Sequence, residues 1–175
     1  GDSDSDSDSD SDVDLESCVD FAALTFNGFV VSNNTWGAED VTGYTQCVFV
    51  RGSGGGTSFG WTWDWPVSEP TWQVRAYPEV MAGKSPWNAE LDTGHGLPVD
   101  VGTDVSIKFA LDLVGASGTY NFAPEVWLTS DDTPTSTEIA YEIMIWLDHK
   151  NMTPAGTEQP GRHAVRTDGA RAGSC

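Results

Sequence analysis

The residues best suited to chemistry lie in residues 141–147, which read Tyr-Glu-Ile-Met-Ile-Trp-Leu. The β-branched and aromatic residues of this run predict a β-strand. Because strand side chains alternate between the two faces of a sheet, Glu142, Met144 and Trp146 share one face. A carboxylate in the middle of an apolar strand is costly unless it has a role. The opposite face is apolar and is expected to be core: Tyr141, Ile143, Ile145 and Leu147.

A shorter run upstream, residues 124–128, repeats this arrangement. There Glu125 and Trp127 face one way while the intervening apolar residues face the other. Carboxylates carry glycoside hydrolysis, and flat aromatic rings suit the apolar faces of pyranose sugars. Two neighbouring strands of this kind indicate a carbohydrate site. The alternative is that Glu142 is an outward, solvated residue of a sandwich strand.

The rest of the chain supplies short alternating segments that would position these strands. Eight Trp, nineteen Gly and the lack of a long helical period favour an all-β domain. Many short strands separated by turn signals predict a β-sandwich or jelly roll. Residues 104–113 are one such strand in this interpretation, with four residues expected to point inward: Val105, Ile107, Phe109 and Leu111.

A stripe of tryptophans marks another predicted strand, residues 59–65. Strict alternation places Trp61, Trp63 and Trp65 on one face. Core packing is the ordinary explanation of such a stripe, and we expect it for at least one of the three. The others are candidates to line a groove.

The charge of the chain excludes some partners. A formal net charge of -19 with only eight Lys plus Arg argues against nucleic-acid binding, which needs a basic surface. A surface crowded with carboxylates repels itself at low salt, and molar salt screens that repulsion. The composition therefore favours a protein from a salt-loving organism. An ordinary acidic secreted protein is the alternative.

Three segments are predicted from composition. Residues 1–14, mostly alternating Asp and Ser, are expected to be a disordered linker or tether rather than a metal-binding tract. Residues 15–160 form the domain. Residues 161–175 carry three of the five arginines and lose the alternation, which is typical either of a non-native end or of a basic tail. No run of about twenty apolar residues predicts a membrane span.

No cofactor or metal is predicted, because the three histidines have no metal-ligand spacing. Cys18 and Cys47 flank a predicted hairpin, so a disulfide between them is plausible in an oxidising compartment. Cys175 is then left over. We expect a secreted protein whose N-terminal segment is a candidate tether.

Several motifs occur in an order that resembles glycoside hydrolase family twelve, the small endo-β-1,4-glucanases or cellulases. The resemblance runs from about residue 18 to about residue 160, and the acidity is similar to that of haloarchaeal members. Each motif is weak alone, and the set is specific. The motifs are Asn33-Asn34-Thr35-Trp36-Gly37, Gln46-Cys47-Val48, Gly60-Trp61-Thr62-Trp63, Ala76-Tyr77-Pro78-Glu79-Val80, Tyr120-Asn121, Trp127-Leu128 and Glu142-Ile143-Met144-Ile145-Trp146-Leu147.

The resemblance implies a concanavalin-like jelly roll of two antiparallel sheets, with a concave cleft that binds a glucan chain. It implies hydrolysis with retention, with Glu142 as nucleophile and Glu125 at the position of an Asp that bonds to the nucleophile. It also implies that Cys18 and Cys47 form the family's N-terminal disulfide. The implied sugar platform is Trp36, Asn34 is a candidate for hydroxyl contacts, and Met144 would point into the cleft with Glu142. From the tryptophan pattern we add Trp61, Trp63 and Trp127 as candidate substrate-binding residues, of which some are expected to hold the glucan chain.

The chain departs from the family pattern after Glu142. The family's acid/base Glu lies on a late strand, but here the later carboxylates are only Asp148, Glu158 and Asp168. We therefore expect a domain that lacks its last strands. We therefore interpret the sequence as a monomeric endo-β-1,4-glucanase whose partner is β-glucan, whether cellulose, mixed-linkage glucan or xyloglucan. The alternatives are a non-catalytic β-glucan-binding sandwich and an inactive fragment.

Overall fold

The computed structural model describes residues 13–53, 56–67, 73–131 and 138–155. This part of the chain is all-β, and every strand pairing within it is antiparallel. The strands are β1 (Val13–Ser17), β2 (Ala23–Phe26), β3 (Phe29–Asn34), β4 (Thr45–Ser53), β5 (Gly56–Asp64), β6 (Tyr77–Met81), β7 (Lys84–Ser85), β8 (Asn88–Asp92), β9 (Tyr120–Phe122), β10 (Glu125–Thr129), β11 (Ile139–Met144) and β12 (Asp148–Lys150).

Two three-stranded sheets form the sandwich. One has the order β1-β4-β5 and the other β2-β3-β6. Val31 of β3 packs between them against Val48 and Val50 of β4, and all three are fully buried. β-branched residues suit such a position because they pack well on a pleated surface. Four partly buried residues surround this core: Leu24, Phe26, Phe59 and Trp61.

The two glutamate-bearing strands form a ribbon that continues beyond their own pairing. β10 pairs with β11, and β9 pairs with β12. Between these pairs the backbone amides of Ile145 and Leu147 donate to the carbonyl oxygens of Pro124 and Phe122. Residues 120–129 and 139–150 therefore form one interrupted antiparallel ladder, which fixes the backbone around Glu142.

The strand predicted over residues 104–113 is wrong. This segment has no regular structure, and Val105, Ile107 and Phe109 are each more than half exposed. Alternation creates an apolar face, but a strand also needs a neighbour for its backbone hydrogen bonds. Among the described residues no strand pairs with this segment.

The back face of β11 also differs from prediction. Tyr141 is 70% exposed and Ile143 is 48% exposed, although both were expected in the core. Ile145 and Leu147, which continue this face, are exposed as well. The alternation was interpreted correctly, but the core between the two three-stranded sheets does not extend behind this ribbon in the described part of the chain.

The N-terminal part of the sandwich is closed by a disulfide and a buried amide network. Cys18 and Cys47 are bonded, with their Cα atoms 4.0 Å apart, which confirms the predicted pairing. Beside them, the fully buried Asn33 donates from Nδ2 to the carbonyl oxygens of Val19 (2.9 Å) and Gln46 (3.1 Å). Its Oδ1 accepts from the side chain of Gln46 at 2.9 Å. Asn33 thus ties β3 to β4 and to the segment before β2.

The predicted linker and tail lie largely outside the described residues. Residues 1–12 and 156–175 are not described, and Glu158 is among them. β1 begins at Val13, inside the segment predicted as linker. In the part of the chain that the structure describes, no helix has the length and apolar character needed to cross a bilayer.

We predict that Asn33→Ala lowers the free energy of unfolding by about 2–4 kcal/mol, because it leaves buried carbonyl and amide groups without partners. Thr62→Ala, on an exposed position of β5, is the matched control and should change it by less than about 0.5 kcal/mol. Chemical denaturation of both variants in the same salt measures the difference. Equal midpoints for the two variants would show that the amide network does not support the fold.

Candidate active site

The β10–β11 register brings the predicted catalytic residues together. Glu142 lies directly across from Trp127, and Met144 lies across from Glu125. Directly paired residues of antiparallel strands project to the same face. Four of the predicted site residues therefore lie side by side on one face, two strands wide.

Glu125 and Glu142 interact as a pair. Both lie on the same face of the ladder, and the pKa of Glu125 rises from its ordinary value of 4.5 to about 7. Burial of Glu125 is the main cause, followed by the negative charge of Glu142, the hydrogen bond to Glu142 and the charge of Glu79. Below pH 7 Glu125 can thus carry the proton of the pair and donate it in a hydrogen bond to the carboxylate of Glu142.

β6 adds two residues that the sequence analysis did not assign to the site. Burial raises the pKa of the Tyr77 hydroxyl, and the charges of Glu125 and Glu142 raise it further. Glu79 follows two residues later on the same face, and burial raises its pKa as well. Alternation within residues 76–80 indicates from the sequence that Tyr77 and Glu79 share a face. Which strands that face is directed toward depends on the fold.

Asn34 connects β3 to this group. The pairing of β3 with β6 places Asn34 opposite Tyr77. The Asn34 side chain donates to Glu79 Oε1 at 3.5 Å, a long bond that still lowers the pKa of Glu79 against the effect of burial. The predicted sugar contact at Asn34 therefore lies within reach of the carboxyl cluster Glu79, Glu125 and Glu142.

Met144 is held in place by two donors. The indole N–H of Trp146 donates to its sulfur, and the Asn121 side chain contacts the same atom at 3.6 Å. The thioether is thereby fixed on the Glu142 face beside Glu125.

The tryptophans divide into two groups. Trp127 belongs to the Glu142 face and meets Trp87 edge to face, with ring centroids 5.1 Å apart. Trp36 lies two residues after the end of β3 and is 53% exposed. Trp87 was not recognised from the sequence, because a lone tryptophan in a predicted loop carries no pattern.

Trp61 and Trp63 do not reach this face, which corrects their assignment as substrate-binding residues. Trp61 pairs with Val48 and packs against the sandwich core. Trp63 packs against the ring of Tyr120, and its indole N–H lies 3.4 Å from the carbonyl oxygen of Ser117. The physical reason is that the tryptophan face of β5 is the face turned toward the opposite sheet, where large rings fill the interior.

One group of three residues has metal-ligand spacing among the described residues: Glu16, Cys18 and Cys47. The two cysteines are joined in the disulfide, so they offer no thiolate to a metal ion.

The comparisons with known proteins agree with this arrangement. Residues 27–170 match glycosyl hydrolase family 12, and the chain belongs to this family. It is 35% identical over 132 residues to endoglucanase S of Pectobacterium parmentieri. The aligned region covers 74% of this chain and 48% of that protein. It is 27% identical over 135 residues to a probable xyloglucan-specific endo-beta-1,4-glucanase A of Aspergillus terreus, covering 74% of this chain and 47% of that protein.

The fold is also matched by a solved structure. A family 12 xyloglucanase from Bacillus licheniformis, in complex with ligand, superposes with a TM-score of 0.62 at 29% identity. The match covers 82% of this chain and 60% of that one. This likeness confirms the predicted all-β jelly-roll architecture. The chain spans about half the length of the curated relatives it matches.

The raised pKa of Glu125 predicts how stability changes with pH. Between about pH 4.5 and 7 the folded chain keeps a proton that the unfolded chain has lost, so the free energy of unfolding falls as the pH rises through this window. Glu125→Gln removes this contribution. Relative to the parent, the variant should therefore gain stability from pH 5 to pH 8, as measured by urea denaturation at constant ionic strength.

Glu39→Gln is the control for this experiment, because it removes a carboxyl from an exposed loop. It should leave the pH profile of the parent unchanged. Parallel profiles for the parent and Glu125→Gln would contradict the assigned protonation.

Proposed function

We propose that this chain carries the nucleophile side of a retaining endo-β-1,4-glucanase site, with Glu142 as the nucleophile. The observation that supports this most strongly is that Glu142 lies across from Trp127 and shares one face with Glu125, whose pKa is raised by burial and by the charge of Glu142. The family membership and the activities named for the relatives support the same reaction class. β-Glucan is the proposed substrate.

In this proposal a carboxylate oxygen of Glu142 attacks the anomeric carbon, and the bond from that carbon to the leaving oxygen breaks. The leaving oxygen takes a proton from a second carboxyl, which then removes a proton from the water that releases the sugar. Glu125 is a positioning residue. Its proton orients Glu142 and keeps negative charge concentrated on the attacking carboxylate.

The binding residues of the proposal surround this pair. Trp36 and Trp127 provide flat apolar surfaces for pyranose rings, and Asn34 provides an amide for hydroxyl contacts. Met144 fills the surface between the carboxyls and Trp146.

A second candidate function is a β-glucan-binding sandwich without turnover. A retaining site needs two carboxyls roughly 5–5.5 Å apart on opposite sides of the scissile bond. Glu125 instead lies on the same sheet face as Glu142, and the charge of Glu79 contributes to the raised pKa of Glu125. Neither Glu125 nor Glu79 is therefore placed to act as the acid/base group. This placement favours a function in which the chain binds glucan without hydrolysing it.

We further infer that the protein is secreted, monomeric and adapted to high salt. The disulfide fits an oxidising compartment, and the carboxylates behind the net charge of -19 repel one another until salt screens them, which favours adaptation to high salt. Sedimentation in low and molar salt tests the oligomeric state, and chemical denaturation in the same two conditions tests the adaptation to salt. A stable dimer in both conditions, or full stability without salt, would contradict them.

The nucleophile can be tested apart from the acid/base group. The reagent is a 2-deoxy-2-fluoro-β-cellobioside that carries dinitrophenolate as its leaving group. Dinitrophenolate departs without needing a proton, and the fluorine slows hydrolysis of the bond between the sugar and the enzyme. We predict that this reagent adds one fluorocellobiosyl unit to the chain and that peptide mapping finds it on Glu142. The intact mass of the protein, before and after reaction, measures the labelling.

Glu142→Gln is the matched variant and should take no label while still binding soluble β-glucan. Labelling of a different residue would contradict the assignment of Glu142. Glucan binding by the parent without any label would favour the binding function instead.

A further inference from the structure

The turn between β7 and β8 presents a tryptophan beside the proposed active site. Ser85 pairs with Asn88, so the turn itself consists of Pro86 and Trp87. Ser85 and Pro86 are buried, which anchors the base of the turn. Trp87 nevertheless remains 45% exposed. Its ring therefore stands out from a fixed base, with much of its surface open to solvent.

Trp87 contacts a ring that belongs to the Glu142 face. Its ring centroid lies 5.1 Å from that of Trp127, and the two ring planes meet at 83°. Trp127 in turn lies directly across the ladder from Glu142. The two indoles thus form a corner with perpendicular walls, one strand away from the proposed nucleophile.

We propose that Trp87 is a glucan-binding residue, and that the Trp87–Trp127 corner holds a glucosyl unit next to the one attacked by Glu142. This inference rests on the proposed function for the identity of the ligand. A single aromatic plane lets a sugar ring slide and rotate on it. Two perpendicular planes restrict both motions, because the apolar face of the ring and its edge are held together.

The corner also has features that are typical of binding hot spots, the few residues that contribute most of the binding free energy. Tryptophan is strongly enriched at binding hot spots. The partly exposed Trp87 ring would lose its contact with water when a ligand covers it, while the buried base of the turn holds it in place. The aromatic contact of Trp87 is with Trp127 and not with the carboxyl pair, and its neighbours in the chain carry no catalytic group. Its expected contribution is therefore to affinity rather than to chemistry.

The test measures affinity for mixed-linkage β-glucan by native affinity electrophoresis, in molar salt. Every variant is made in the Glu142→Gln background, so that no substrate is consumed. We expect Trp87→Ala to weaken binding about tenfold or more and Trp87→Phe to restore most of it. Tyr141→Ala is the matched control, since it removes a ring that is 70% exposed on the opposite face of β11, and it should bind as the background does.

A second measurement does not depend on how the variants fold. N-Bromosuccinimide oxidises exposed indoles, and peptide mapping of the unmodified chain locates the products. Trp87 should be oxidised in the free protein and protected in the presence of the glucan.

The outcomes separate the two proposals. Binding by the Glu142→Gln background with equal affinity in Trp87→Ala, or no protection of Trp87, would overturn the assignment of Trp87 alone. An absence of glucan binding by the background would overturn the proposed function and this inference together.

Discussion

The register of the β10–β11 ladder is the constraint on which the proposed site depends. A slip of one residue would turn Glu142 to the opposite face and separate it from Trp127 and from the Glu125 carboxyl. The register is held on both sides of Glu142, since Ile145 and Leu147 extend the hydrogen bonding to the segment before β10. The backbone pairing of these two strands is thus sufficient to place the proposed site residues on one face.

The same register accounts for the electrostatics of the site. Cross-strand neighbours on adjacent strands lie close enough for two carboxyls to share a proton. In a chain with a net charge of -19, a third acid at Glu79 adds to the cost of ionising Glu125. Among the described residues, the carboxyl with the most strongly raised pKa, Glu125, thus lies beside the proposed nucleophile, where a neutral partner is useful. Perturbed acids concentrate at functional sites for this reason.

The sequence predicted what depends on local alternation. It grouped Glu142 with Met144 and Glu125 with Trp127, and the disulfide pairing was also correct. It did not predict which side of a strand faces the partner sheet, so Trp61 and Trp63 were assigned to a groove although they pack inward. The contributions of Tyr77, Glu79 and Trp87 depend on contacts between distant segments, and no local pattern reveals them.

The failure over residues 104–113 has a related cause. Its alternation is as regular as that of β11, yet only β11 forms a strand. The difference is that β11 is hydrogen-bonded to β10, whereas no described strand is hydrogen-bonded to the other segment, although its Phe109 ring lies 6.2 Å from that of Phe122. Strand propensity is thus a statement about fit to a partner more than about the segment itself.

The exposed back of the ribbon makes its front contacts more important. A two-stranded ribbon is marginally stable alone, and the apolar residues behind Glu142 contribute little burial here. The Trp87–Trp127 contact and the proximity of Tyr77 therefore help to hold the ribbon against the rest of the sheet. These are the same groups that line the proposed site. Binding surface and structural support coincide, so a ligand that fills the corner between the two indoles would also stabilise the strand that carries Glu142.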